Sequence, residues 1–321
     1  MTRVVEAGAA KSAAPASQQH RRLPRLRSEQ IVGLLFLLPA LVYVTAFYAY
    51  PIVFNVVMSL EHYTLKTFVT GEAPFVGLDN FDHLVNHPEF WPAVTNTVWF
   101  VAGSLFFQFT LGLAIAIFYQ HKFPLNGILR ALILIPWLAP VLVSGAIWVR
   151  LLDQDYGVVN FAIHSLGYSG QISWLTDPNL SLISVLIANI WIGIPFNMVI
   201  LYGGLQAIPR VLYEAASIDG ASAWQRFRYI TWPLLRPVST VVLLLGLVYT
   251  LKVFDVIMSI TRGGPADTSQ ILNTWAYSLA FTNGFNFGLG AAAGDILLVI
   301  VLGFGLLYLR YAYRELRETT S

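Results

Sequence analysis

Six stretches of this sequence stay apolar for about 20 residues or more: 31–60, 93–120, 129–152, 180–206, 238–261 and 290–311. A run of that length spans the hydrocarbon of a bilayer as a helix, because a helix satisfies its own backbone polar groups where water is absent. Composition agrees: 56% of residues are hydrophobic and 11% are charged, against about 25% charged in soluble domains. So few charges cannot cover a water-facing surface. The expected fold class is an all-α integral membrane protein with six transmembrane helices. A net charge of +2, with no basic run beyond the N-terminal tail, argues against nucleic acid as a partner. Cysteine is absent, which excludes a disulfide framework and a thiolate metal site.

Residues 1–27 are rich in Ala, Ser and Gln and then basic at Arg21, Arg22, Arg25 and Arg27. They are expected to form a disordered cytoplasmic tail, with the transmembrane domain over 28–321. The run 31–60 is too long for a signal-peptide apolar core and shows no cleavage site, so it reads as a retained span. Pro39, Pro51, Pro136, Pro140 and Pro195 interrupt the spans, which suits a packed bundle whose neighbours re-satisfy the freed backbone groups. With the N-terminus inside, the outer segments hold only Lys66, Arg150 and Arg262, and nearly all other Lys and Arg residues fall inside. The positive-inside rule then puts both termini, and the stretch 213–237, in the cytoplasm.

That stretch, YEAASIDGASAWQRFRYITWPLLRP, is polar between two apolar runs. Tyr213 to Asp219 suits a helix, Gly220 permits a turn at positive φ, and Trp224, Phe227 and Ile230 lie near one face of a second helical segment. Pro233 and Pro237 are expected to break the chain at the membrane edge. Two readings stand side by side on this evidence. One is a docking knob with exposed aromatics; the other is a connecting loop packed on the underside of its own bundle.

Glu214, Ala215, Ala216, Gly220, Ile230 and Pro233 match, position by position, the EAA loop of binding-protein-dependent ABC importer permeases. Trp232 stands where that family usually has leucine. EAASIDGASAWQRF resembles the carbohydrate-uptake branch, as do LIPWLAPVLVSGAIWVRLLDQDYGVVN (132–160), WIGIPFNMVILYGGLQAIP (191–209) and FDVIMSITRGGPADTS (254–269), where Arg262 replaces a frequent glycine. The resemblance covers about residues 30–315. It implies the type I importer permease fold in a bacterial plasma (inner) membrane, surrounded by lipid. It implies import of a sugar, oligosaccharide or related polyol. It also implies three kinds of partner: a second, homologous permease as an unlike pair, two ATPase subunits that bind ATP-Mg, and an extracytoplasmic substrate-binding protein. The EAA loop, 209–237, would couple to an ATPase groove. Glu214 would be its polar contact, Ala215, Ala216 and Asp219 its helix, Gly220 its turn, and Trp224 and Phe227 its apolar packing. The chain lacks a G-x-x-x-x-G-K-[ST] phosphate loop, so no cofactor is expected in it and ATP hydrolysis would fall to the partners; the chain itself is not expected to be an enzyme.

Charges inside spans are costly and usually face a bundle interior or a wet cavity. Lys252 and Asp255, at i and i+3 of the fifth span, are expected on one face, with Asp295 near the start of the sixth. They are candidates for the translocation path, or for a structural ion pair. Asn197 is a further candidate, with Asn96, Gln108 and Asn189; each suits a path or interhelical hydrogen bonding. Trp137, Trp148, Trp191 and Tyr249 suit sugar stacking or an interfacial belt. His83 and His87 share i,i+4 spacing but lack further clustered ligands. Two rival functions remain on residues alone. In an ion-coupled secondary transporter, Lys252, Asp255 and Asp295 would relay charge. In a non-transporting membrane docking or assembly protein, the loop would only bind a partner.

Overall fold

The computed structural model describes residues 28–121 and 123–319; the expected tail, 1–27, lies outside the described residues. Regular structure among those residues is helical, apart from two isolated bridge pairs, Glu61–Phe75 and Thr64–Asn286. The described residues divide into two compact units, one up to residue 52 and one from residue 53 onward.

The first unit holds helix α1 (Ser28–Val44) and a π-turn, Thr45–Ala49. Helix α2 (Tyr50–Ser59) carries the chain into the second unit. At the π-turn the Tyr50 N–H bonds Thr45 O, five residues back, and Pro51 follows. A π-turn widens the helix where proline supplies no N–H and its ring would otherwise crowd the preceding turn.

In the second unit, short helices α3 (Leu65–Thr70) and α4 (Asp79–Val85) lead into the long α5 (Phe90–Phe118). Helices α6 (Asn126–Leu132), α7 (Ile135–Leu138) and α8 (Val141–Leu151) occupy the expected third span. That span is not one rod: Asn126–Leu138 and Val141–Leu151 meet at 97°. Pro140 is the cause. It drives Ala139 to extended backbone (ψ 142°), since the residue before proline is barred from helix by the ring. Among the described residues, five helices are long and apolar enough to cross a membrane, or six spans if the bent pair counts as one.

Helix α9 (Val158–Ser165) precedes α10 (Ser181–Gln206), the fourth span. Helices α5 and α10 pack closely because glycines face polar side chains. A Cβ at Gly112 would lie 2.7 Å from Asn197 Cβ, and one at Gly193 would lie 2.3 Å from Gln108 Cδ. Gln108 Nε2 donates to Asn189 O (3.0 Å), and Asn189 Nδ2 donates to Ser104 Oγ (2.9 Å). Small residues with interhelical amide bonds replace the hydrophobic drive that lipid cannot supply.

Helix α11 (Arg210–Ile218) is followed by α12 (Ala223–Arg226), a π-turn (Phe227–Thr231) and α13 (Trp232–Leu251). This corrects two expectations. Pro233 and Pro237 do not break the chain, since the helical run is continuous over Ala223–Leu251. The device at Pro51 recurs: Trp232 N–H bonds Phe227 O across the π-turn, just ahead of Pro233. The fifth span also ends at Leu251, not near 261. Lys252 caps it, Phe254 takes φ −135° and ψ −56°, and α14 (Asp255–Ile260) starts anew. Asn273 Nδ2 donates to the freed carbonyls of Lys252 and Val253, both at 3.2 Å. Helix α15 (Leu272–Tyr277), a π-turn (Ser278–Thr282) and α16 (Phe287–Thr319) complete the unit.

Three apolar clusters hold these elements. One surrounds Trp275 with Leu84, Phe90, Leu272 and Leu297. A second joins Ala116, Met198, Leu201, Leu205 and Leu235. The third joins Phe100, Val185, Ile257 and Ile271.

Candidate functional site

The 209–237 loop is built by two helix caps. Helix α11 ends in a Schellman motif: Ala221 N–H bonds Ala216 O (2.9 Å) and Gly220 N–H bonds Ser217 O (3.2 Å), with Gly220 at φ +76°. Only glycine takes that conformation without strain. Two residues later Ser222 starts α12. Its Oγ accepts from Gln225 N (3.3 Å), and Gln225 Oε1 accepts from Ser222 N (2.7 Å), a capping box written in the sequence as S-x-x-Q. Arg226 Nη1 then donates to Ser217 Oγ at 2.9 Å, tying the two helices together.

One face of this helix–turn–helix packs inward. Tyr213 and Ile230 lie against the Leu201–Leu205–Leu235 cluster, and Tyr213 Oη lies 2.9 Å from Thr231 Oγ1. The other face is open: Ile218 is 87% exposed, Trp224 69% and Tyr229 74%. The Trp224 and Phe227 rings stack at 5.7 Å, 26° between planes. Glu214, Ala215 and Asp219 are exposed and Ala216 is half-buried; the carboxylates of Glu214 and Asp219 form no hydrogen bond among the described residues. One face is thus packed on the chain's own helices, and the other leaves apolar and aromatic side chains exposed.

The intramembrane candidates do not form one cluster. Lys252 and Asp255 line a cavity of 490 Å³ with Gln108, Trp137, Asn189, Phe196, Tyr249 and Phe254. They are not on one helical face as expected, because the helix stops between them, and no ion pair joins them among the described residues. Trp137 and Phe196 contact at 5.9 Å, and Phe196 and Tyr249 at 5.6 Å edge to face. The wall therefore combines aromatic faces, two amides and one charge of each sign, a lining suited to a polar organic solute. Asn197 is not among the lining residues. It is 3% exposed, donates to Gly193 O (3.0 Å) and faces Gly112.

Asp295 stands apart, buried on α16, where Asn55 Nδ2 donates to its Oδ1 at 2.7 Å and to Ala291 O at 3.2 Å. Asn96 Nδ2 holds Thr268 O (3.0 Å) and Gln270 O (2.9 Å) in the loop after α14. Trp148 contacts Trp191 at 5.9 Å, and His87 packs on Trp275 at 5.5 Å. Phe196, Phe254, Asn55 and Asn273 escaped the sequence reading. Asn55 carried a usable signal, since an amide within an apolar span needs a partner; the two phenylalanines look like any other span residue.

A bundle of apolar helices around a polar, aromatic-lined cavity, with a capped helix pair presented beyond the spans, defines a multi-pass membrane transport subunit. The comparisons agree. The family model described as "Binding-protein-dependent transport system inner membrane component" matches residues 108–314, and the chain belongs to that family. It is similar to the trehalose/maltose transport system permease protein MalF of Thermococcus litoralis, at 37% identity over 282 residues, covering 88% of this chain and 94% of that protein. It is also similar to the lactose transport system permease protein LacF of Rhizobium radiobacter, at 32% identity over 293 residues, covering 90% and 96%. In fold it matches a chain of a crystal structure of a bacterial alginate ABC transporter in complex with an alginate pentasaccharide-bound periplasmic protein. The TM-score is 0.76 at 23% identity, covering 89% of this chain and 95% of that one.

Proposed function

We propose that this chain is a permease subunit of an ATP-driven importer that carries a sugar, oligosaccharide or related polyol across a bacterial plasma membrane. Relatives named for trehalose/maltose and for lactose transport support the substrate class. Both termini are cytoplasmic in this reading, which the Lys and Arg distribution supports. Two partner ATPases bind and hydrolyse ATP-Mg, a second homologous permease completes the path, and an external binding protein delivers the substrate. The 490 Å³ cavity, with Lys252 and Asp255 on its wall, is this subunit's share of the path.

The observation that carries the proposal is the exposed apolar face of the 209–237 helix pair, set on a rigid inner face. Trp224, stacked only on its neighbour Phe227 among the described residues, and Ile218 stay mostly exposed, while Tyr213 and Ile230 anchor the pair to the spans. A pull-down of the tagged chain in mild detergent tests it. The expected result is recovery of an ATPase subunit and a second permease, with the ATPase lost from a Trp224→Glu variant. Recovery of the chain alone, with uptake that survives in liposomes on an ion gradient, would overturn the proposal.

A further inference from the structure

Beside the first cavity lies a second, of 380 Å³, whose lining includes Asn55, Phe254, Asn273, Tyr277, Phe281 and Phe287. Phe254 lines both, so it is their common wall. Each volume falls in the range of about 300–1,000 Å³ usual for small-molecule sites.

The chemistry of the second cavity is distinct. Four aromatic rings follow one another along it. Phe254 and Tyr277 are 4.9 Å apart, Tyr277 and Phe281 5.0 Å, and Phe281 and Phe287 5.8 Å. No Lys, Arg, Asp or Glu lines it. Its two amides are held by their nitrogens. Asn273 Nδ2 donates to Lys252 O and Val253 O, and Asn55 Nδ2 to Ala291 O and Asp295 Oδ1. Those partners are all acceptors, which fixes the nitrogen end of each amide. The Oδ1 atoms of Asn55 and Asn273 take no hydrogen bond among the described residues. They are two positioned acceptors with the lone pairs unused.

Aromatic faces cover the C–H faces of a sugar ring, and fixed acceptors take its hydroxyl protons. An uncharged lining suits a neutral ring. A purely lipid-facing groove has no use for unpaired amide oxygens, which hydrocarbon penalises. We infer that this cavity is a second sugar subsite, in series with the first across Phe254, and that the cargo is a disaccharide or longer, with a neutral ring at Tyr277 and Phe281. The inference rests on the importer reading and specifies its substrate.

The test uses the absence of native cysteine. Phe281→Cys, at a half-exposed position, is introduced into the full chain, and the assembled complex is placed in nanodiscs. A charged, water-borne thiosulfonate is the labelling reagent. A mixture of trehalose, maltose and lactose is the probe, and its stimulation of ATP hydrolysis is measured in parallel on the unmodified complex. Tyr277→Cys serves as a second reporter if the first variant fails to assemble. The expected result is labelling that the sugars slow, by roughly tenfold when they stand at about ten times their dissociation constant. Unslowed labelling while the sugars still stimulate ATP hydrolysis would overturn the subsite and leave the importer intact. So would a cysteine that reacts in the isolated chain but not in the complex, since a second subunit would then cover the cavity. No stimulation by any of the sugars would count against the carbohydrate reading, and the subsite would fall with it.

Discussion

Tyr213 Oη and Thr231 Oγ1 lie 2.9 Å apart, joining α11 to the π-turn at the foot of α13. Thr231 is buried, and Tyr213 is wedged in the apolar cluster below the fourth span. A side-chain contact therefore ties α11 to the foot of the fifth span, in addition to the intervening turn.

Thr231→Val removes that link while keeping the shape. The expected loss is about 0.5–1.5 kcal/mol of stability, with a fall in sugar transported per ATP hydrolysed in proteoliposomes. Thr231→Ser, which keeps the hydroxyl, should restore the ratio. An unchanged ratio in Thr231→Val would show that the turn alone carries the motion.

Gly220→Ala isolates a backbone effect, since a Cβ there meets nothing within 4 Å. At φ +76° the substitution costs about 1–2 kcal/mol and should loosen the Schellman turn that orients α12. The expected outcome is weaker retention of the ATPase in pull-downs, with the thermal midpoint of the spans nearly unchanged. Gly220→Pro should be more severe, because it also removes the N–H that bonds Ser217 O. Glu214→Lys reverses an exposed charge on α11 and should weaken ATPase retention without disturbing the fold.

Most of this architecture was legible in the sequence, and the failures share a physical origin. Span length and apolarity revealed where the membrane helices lie, since those are local properties. Gly220 and the Ser222–Gln225 capping box are local too. The continuity through Pro233 was hidden because it depends on a π-turn one step upstream, which proline alone does not announce. The end of α13 at Leu251 was hidden for a different reason: the group that holds the freed carbonyls of Lys252 and Val253 is Asn273, 21 and 20 residues beyond them. In the same way, i,i+3 spacing placed Lys252 and Asp255 on one face only under the assumption that the helix continued. Both still reach one cavity, because the break turns the backbone there.

Gly112→Ala and Gly193→Ala test the α5–α10 contact. The first forces a Cβ against Asn197 Cβ and to 3.1 Å from the Met198 backbone nitrogen; the second meets the end of Gln108. Overpacking of this kind costs about 1–3 kcal/mol. Gly112→Ala is expected to be the worse for thermal stability in detergent, since backbone yields less than a side chain. Gly193→Ala should instead displace Gln108, which lines the cavity, and raise the transport KM.

Asn55→Ala leaves both oxygens of buried Asp295 without a donor among the described residues, because Oδ2 already has no partner there. An expected cost of about 1–3 kcal/mol follows, read as a lower thermal midpoint. Replacing both residues by leucine should recover much of it, since the unpaired buried group is then gone. A double variant less stable than Asn55→Ala would contradict this account of the pair.

Lys252 and Asp255 line the cavity without an ion pair among the described residues. A double-mutant cycle of Lys252→Met and Asp255→Asn is therefore expected to give a stability coupling below about 0.5 kcal/mol, while each single change alters transport KM. A coupling of several kcal/mol would mean that the two charges form a structural staple.

Uptake of labelled maltose or trehalose into proteoliposomes containing the copurified complex, with the external binding protein present, tests the central claim most directly. The assay compares enclosed ATP-Mg with enclosed AMP-PNP-Mg, each with and without an uncoupler. The account expects uptake with ATP alone, indifferent to the uncoupler and abolished by Trp224→Glu in the 209–237 loop. Uptake that proceeds with AMP-PNP and stops with the uncoupler would contradict it, and would move attention from the loop to Lys252, Asp255 and Asp295 as carriers of ion coupling.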